Sequence, residues 1–509
     1  MKKNKEYIRL LHGKDVYFEL ILLEALYKSK AGLMMRELVK LLGRERRTIY
    51  KYVEQINHYT VPGDQSPSIM MKEDNRYVFI GDKRKYFEIR LTIIENSFTV
   101  QFAQELLEKG KVVLYDFEAR FHFSESSLRR RIHQANILLE KYNMNLKFHK
   151  GNIYLEGEEL EIRHAFVSFF WLTYRGMRWP FKLMSQKEVN TSLRALMGEA
   201  RTAIPQGKKE QLFYIWAVSL SRLRNGNTYS LAEFPEEVEV LSQNHPLFKI
   251  LKTATPNLPQ AEQKGLFAFL LTLPETYLHI EEKTQKELSK IETRLHHLRQ
   301  AYFVFLKAQH PEWNLDLNTL GHKRFLAVLL SGEMNVLLFK GRSFSVITDG
   351  TREYLEDNFP HLLQEMRGFV QNYSSGWQQE DQEQLSLVYA RSYSMLFELH
   401  DFEPQLNILL ATDMPLYVES YIQQTLERFL FSKYKVSIHL QGECTDKHDL
   451  ILTTCPSSYS NALLPVVAIE AELSQKNLLS IYKICGELIQ QRKIQKYQDK
   501  GSAHDYCLL

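Results

Sequence analysis

A change of hydrophobic period between residues 124 and 155 constrains this chain most. Leu128, Ile132, Ala135 and Leu139 recur at helical spacing, with Ser124 placed to cap the helix and Glu125 in its first turn. Leu146–His149 and Ile153–Leu155 then alternate like strands about Lys150-Gly151-Asn152, a tight-turn signal. The preceding stretch VLYDFEARFHF (113–123) reads as a support helix. Helix, turn, helix and hairpin in this order spell a winged helix-turn-helix. Arg129, Arg130 and Arg131 project off the apolar stripe beside Ser126 and Ser127, and Lys147 and Lys150 sit on the hairpin. Arginine grips phosphate or pairs bidentately with guanine, and serine reaches phosphate or base edges. The bland alternative is a winged helix that docks on protein.

The pattern also occurs about 80 residues earlier. Val16, Leu20, Leu23 and Tyr27 predict a helix over 15–30, and Leu38, Leu41 and Leu42 predict one face of a second helix that stops at Gly43. In the following RERRTIYKYVEQINHY, Ile49, Val53 and Ile56 form the buried face, while Arg44, Arg46, Arg47, Lys51 and Tyr50 fall near its start or on other faces. The segment 69–80 reads as two strands about Glu73-Asp74-Asn75. A solvated basic helix is the bland alternative here.

Charge supports a polyanion partner for this region. Residues 1–150 hold 28 Lys/Arg against 19 Asp/Glu, whereas the remaining residues are slightly acidic within a net +4 for the 509-residue chain. A hydrophobic fraction of 44% and a charged fraction of 25% predict a folded globular protein of several domains. No run of 18 apolar residues and no signal-peptide pattern occurs, so a cytoplasmic protein without a membrane partner is expected. Cys444, Cys455, Cys485 and Cys507 form no C-x-x-C pair and read as free thiols.

Residues 160–400 carry mostly helical periodicity, as in 212–226, 264–278, 325–339 and 380–400, with a polar junction near 280–295. Strand-like runs follow at 406–412, 435–440, 449–454 and 465–471, with helices between the first two and over about 474–493. That alternation predicts a small α/β domain with a mainly parallel sheet. No nucleophile elbow, phosphate loop, H-E-x-x-H or paired-cysteine pattern appears, so neither enzyme activity nor a cofactor or metal is expected.

The stretches SESSLRRRIHQANILLEKYNMNLKF and GNIYLEGEELEIRHAFVSFFW, taken with this order of parts, resemble the Mga/anthrax-toxin-activator family of Gram-positive virulence and metabolism regulators. The resemblance covers the whole chain. It implies a mainly α, multidomain fold: winged helix-turn-helix domains at 1–90 and 91–158, helical-bundle regulatory domains at 159–285 and 286–402, and an α/β domain resembling enzyme IIB of the sugar phosphotransferase system at 403–509. The implied function is a DNA-binding transcription regulator, an activator, controlled by histidine phosphorylation and dimerisation. Its implied partners are double-stranded promoter DNA, a second copy bound through the C-terminal domain, phosphotransferase-system phosphocarrier proteins and RNA polymerase. The phosphoacceptor position of the first regulatory domain, seven residues before Arg222, holds Ile215, and in the second His322 is the candidate, with His279 and His361 behind it. Where enzyme IIB has a cysteine, Thr412 and Asp413 stand. A phosphotransferase-system component or phosphocarrier enzyme is the alternative. An RNA-binding antiterminator shares the regulatory domains but begins with a β-rich module, whereas this chain begins with helices.

Overall fold

The protein is described by a computed structural model at residues 13–59, 63–64, 66–199, 206–278, 294–339, 351–442 and 447–504. It is mainly helical and multidomain, and its contacts divide it into two compact units. One comprises residues 1–294 with 330–346, the other 295–329 with 347–509.

The first unit opens with α1 (Lys14–Lys28), β1 (Leu33–Met34), α2 (Met35–Leu42), α3 (Arg46–His58) and the strands β2 (Ile69–Met71) and β3 (Arg76–Phe79). The strands pair antiparallel in the order β1-β3-β2, with Asn75 at φ 61° in the turn. Leu38 and Leu42 are the buried pair of α2; Leu41, expected on the same face, is 52% exposed, because burial follows the i, i+4 row on so short a helix. Helix α4 (Lys83–Glu95), capped by Asp82, leads to α5 (Phe98–Lys109), β4 (Val112–Val113), α6 (Leu114–Phe121), α7 (Glu125–Leu139), β5 (Asn145–His149) and β6 (Asn152–Glu156). These strands pair antiparallel in the order β4-β6-β5. Lys150 and Gly151 both take positive φ between β5 and β6, the conformation a two-residue hairpin turn demands.

From the first strand through the second helix of each helix-turn-helix the two segments repeat with a displacement of 79 residues, and the hairpins follow at a slightly shorter one. The 79-residue displacement carries Leu33–Met34 onto Val112–Val113 and Met35–Leu42 onto Leu114–Phe121. It carries the left-handed helix stop at Gly43 onto that at His122, and the N-cap Glu45 onto Ser124. It also carries Asn57 onto Asn136, and both do the same work. Asn57 accepts from the Ile69 N–H at 2.7 Å and donates to the Ile69 carbonyl at 2.9 Å; Asn136 does so with Leu146 at 2.7 and 3.0 Å. In each copy one side chain stitches the last turn of the second helix-turn-helix helix to the first hairpin strand.

Helices α8 (Glu159–Tyr174), α9 (Gln186–Glu199), α10 (Gln206–Arg224), α11 (Glu236–Asn244), α12 (Pro246–Ala254), α13 (Gln260–Leu271) and α14 (Glu275–Leu278) complete this unit, joined by residues 330–339. The periodicity of 264–278 is split between α13 and α14 because Pro274 lacks the N–H that a continuous helix needs. Arg163 at the start of α8 is fully buried, bonded to Glu159 at 2.7 Å and to both oxygens of Glu262 at 2.6 and 3.1 Å. Arg222 at the end of α10 closes the network on Glu159 at 2.7 and 2.9 Å. Buried cations persist only when paired in this way. The same bundle reaches the repeat through Arg178, bonded to Glu88 of α4 at 2.9 Å, and through Asn225, which donates to the Leu107 carbonyl of α5 at 2.8 Å.

In the second unit, α15 (His296–Gln309), the first half of α16 (Leu320–Phe339), α17 (Thr351–Asn358), α18 (Pro360–Tyr373) and α19 (Gln379–Tyr393) gather around Tyr302, Phe325, Phe369 and Tyr389. Helix α19 ends at Tyr393 rather than near residue 400; the Tyr393 hydroxyl donates to Asp401 at 2.7 Å, so the chain after the helix folds back along it. Then come β7 (Leu406–Ala411), α20 (Leu416–Phe431), β8 (Val436–Leu440), β9 (Leu450–Thr453), β10 (Val466–Ala468) and α21 (Gln475–His504). The four strands are parallel in the order β10-β9-β7-β8, over a core that includes Ile408, Leu410, Ile422, Leu426 and Ile481. Among the described residues no helix is long and apolar enough to cross a membrane.

A candidate nucleic-acid interface on the repeated helices

Counted from their N-caps, α3 and α7 share exposed positions one, two, five, six and nine toward their N-terminal ends, and α7 also exposes Gln134 at the tenth, where Gln55 of α3 is half-buried. In α3 these hold Arg46, Arg47, Tyr50, Lys51 and Glu54; in α7 they hold Glu125, Ser126, Arg129, Arg130 and His133. Ile49 and Leu128, at the fourth position of each, are fully buried and fix the opposite face.

Within α7 the Ser124 hydroxyl accepts from the Ser127 N–H at 3.3 Å and lies 3.0 Å from the Ser126 and Ser127 hydroxyls, so the three serines form one capping cluster. Arg129 is half-exposed yet makes two side-chain contacts. It bonds Glu125 at 2.7 Å, and its guanidinium lies 4.4 Å from the ring centre of Phe148 on β5. Arg130 is exposed. Arg131 turns the other way, over Phe123 at 4.5 Å and Phe98 at 5.5 Å, and its partial burial lowers its pKa. Arg44 behaves similarly in the first segment, 4.1 Å over Phe18 with a buried Nε. These two arginines pack; they are not presented on the shared face.

On the second hairpin, Lys147 pairs with Glu156 at 2.5 Å, and Lys150 is exposed at the tip. The exposed face of α7 and this hairpin thus bring Ser126, Arg129, Arg130, Lys147 and Lys150 onto adjoining elements, while Ser127 stays half-buried in the cap. Sequence reasoning placed Tyr50 off the buried face but gave it no role. It is 52% exposed, and its ring meets Tyr77 of β3 edge-on at 6.4 Å. The signal lay in the repeat: Tyr50 stands where Arg129 stands.

The candidate histidines stand on other elements, His322 and His361 in the second unit. The His322 Nδ1 lies 2.8 Å from the Asp316 N–H and 3.0 Å from the Asp316 carbonyl, so its tautomer decides which bond forms. Mostly buried, His361 holds Glu403 at 2.8 Å, and Glu403 also accepts from the His361 N–H at 2.9 Å, capping α18. His279 lies outside the described residues. In the first unit, burial pushes His164 down to about 3 and His245 down to about 4, so both are neutral packing groups. After β7, the Thr412 hydroxyl donates to Glu419 at 3.0 Å, and Asp413 accepts from the Thr454 hydroxyl at 2.8 Å. Half-buried Cys455 follows Thr454, while burial among apolar side chains raises the Cys485 thiol to about 12. Cys444 and Cys507 lie outside the described residues.

A capped helix presenting cations, laid on a support helix and flanked by a hairpin, defines the helix-turn-helix class. Residues 82–170 match the Mga helix-turn-helix domain, from the cap of α4 through the second repeat into α8. The chain is 22% identical over 213 residues to the capsule synthesis positive regulator AcpB of Bacillus anthracis, covering 42% of this chain and 43% of that protein. It is 21% identical over 229 residues to the anthrax toxin expression trans-acting positive regulator of the same organism, covering 44% of each. The chain therefore spans less than half the length of either curated relative. It carries an Mga helix-turn-helix domain and resembles Mga-family virulence regulators, as the residues around Arg129 indicated.

Proposed function

We propose that this protein is a DNA-binding transcription regulator, an activator, that docks two winged helix-turn-helix domains on double-stranded promoter DNA. The observation that carries this is the exposed face of α7, where Arg129 and Arg130 stand beside the hairpin bearing Lys150. Such a face meets the phosphates and base edges of a major groove. Both relatives are named positive regulators, which favours activation.

The finer reading keeps the division at 1–90, 91–158, 159–285, 286–402 and 403–509. The two helical segments act as regulatory domains, and the α/β segment is a domain resembling enzyme IIB that joins two copies. His322 is the proposed phosphoacceptor for a phosphotransferase-system phosphocarrier. With its Nδ1–H donated to the Asp316 carbonyl, its Nε2 lone pair is the nucleophile. The alternative of a phosphocarrier enzyme fits less well, since Thr412 after β7 is engaged with Glu419 and offers no thiolate.

The test is a gel-shift titration of the full chain on promoter DNA at several salt concentrations. Replacing Arg129 and Arg130 by alanine should weaken binding and make log K less steep in log salt, by about 0.9 for each phosphate left without its cation. Unchanged affinity and slope would sink the assignment of this face.

A further inference from the structure

The 79-residue displacement aligns the two exposed helix faces position by position; the sixth holds a cation in both, Lys51 and Arg130, but other aligned residues differ in kind. At the first position Arg46 matches Glu125, at the second Arg47 matches Ser126, and at the fifth Tyr50 matches Arg129. The fifth position is distinctive in both copies. Its side chain is half-exposed and rests on an aromatic ring of its own hairpin: Tyr50 on Tyr77, Arg129 on Phe148. A side chain braced in this way is held in place before a ligand arrives, so little rotamer entropy remains to be lost.

We infer that the fifth position is the base-reading position of each helix-turn-helix, and that the two read unlike base pairs within one asymmetric DNA site. This rests on the proposed docking on duplex DNA. The Arg129 guanidinium offers the paired donors that match guanine O6 and N7, with Glu125 holding it as a positioning residue. The Tyr50 ring has no such fork. Its apolar face suits the thymine methyl, so the first helix-turn-helix reads an A·T pair where the second reads G·C. A protein carrying two copies of one fold thereby binds DNA in a defined orientation, because the two halves of its site cannot be exchanged.

The experiment is selection of a random-sequence duplex DNA pool with the full chain, followed by sequencing of the bound fraction. Wild type should enrich two unlike blocks, one centred on guanine and one on an A·T pair. Arg129→Ala should lower the guanine preference about tenfold or more and leave the other block intact. Tyr50→Arg should convert the A·T block to a guanine preference. Tyr50→Phe, which keeps the ring and its packing on Tyr77, should retain the wild-type blocks, separating base reading from folding. Two identical wild-type blocks, or an unaltered first block with folded Tyr50→Arg, would overturn the inference while leaving DNA binding in place. Failure of wild type to enrich any duplex would overturn the DNA-binding reading itself and this inference with it.

Discussion

Glu19 shows how one side chain can set the pH response of a small domain. It lies on α1, 4% exposed, facing Tyr59 of the neighbouring segment, whose hydroxyl donates to it at 3.4 Å. Burial raises its pKa from 4.5 to about 7; the Tyr59 bond and Lys51 oppose this, and Asp15 adds to it. Between those values the folded protein holds a proton that the unfolded chain has released. Stability therefore falls as pH rises from about 4.5 and levels off above about 7. Glu19→Gln should protect α1 and α3 at pH 8 by up to about 3 kcal/mol relative to wild type, and by little at pH 4.5. Hydrogen exchange of the full chain, compared between the proteins at each pH, would check it; equal protection at pH 8 would refute it. The sequence marks Glu19 only as a charge among apolar neighbours. Adjacent arginines carry the same lesson. Arg130 and Arg131 are indistinguishable as letters, yet one faces solvent and the other lies on Phe98 and Phe123. Rings from α5 and from the turn before α7 make that choice, and residues so distant in sequence are invisible to a helical wheel.

At the level of elements, the hairpins stay in place through Asn57 and Asn136. Asn136→Ala removes both bonds to Leu146 and leaves a strand N–H and carbonyl short of partners, at a cost of about 1–3 kcal/mol. The β5–β6 hairpin should lose exchange protection while the β2–β3 hairpin keeps its own, and loss in both would mean that the copies unfold together. The helices and strands named from the sequence were legible because their apolar periods are clean, and some of their ends carry glycine or serine, as at Ser29, Gly43 and Ser432. The caps set the 79-residue displacement, which the sequence pattern located only as about 80. What periodicity missed has local causes: Pro274 divides α13 from α14, Leu41 leaves the buried row, and the chain turns back after Tyr393. Periodicity reports which face can be buried, but the neighbours determine how much of it is.

For the molecule as a whole, the repeated helix-turn-helix segments and the helices from α8 to α14 belong to one compact unit. Its buried polar centre is the network of Glu159, Arg163, Arg222 and Glu262, which begins three residues after β6 ends. Glu262→Ala would leave Arg163 buried with one carboxylate fewer, costing about 3–5 kcal/mol. Exchange protection of α8, α10 and α13 should fall together and change little with salt, since buried pairs are weakly screened. A loss confined to α13 would show that the network does not bind these helices to one another. The sequence by itself determined the mainly helical class, the repeat, the basic character of its helices and the kinship carried by the residues around Arg129. Those properties are written in local spacing and side-chain chemistry, which need no knowledge of distant neighbours. Tertiary structure alone decided which cations are presented and which are stacked away, that Tyr50 and Arg129 each meet an aromatic ring of their own hairpin, and that Arg163 is paired with Glu262 across 99 residues of chain. Burial and pairing depend on what the folded chain brings alongside, and no local pattern encodes that.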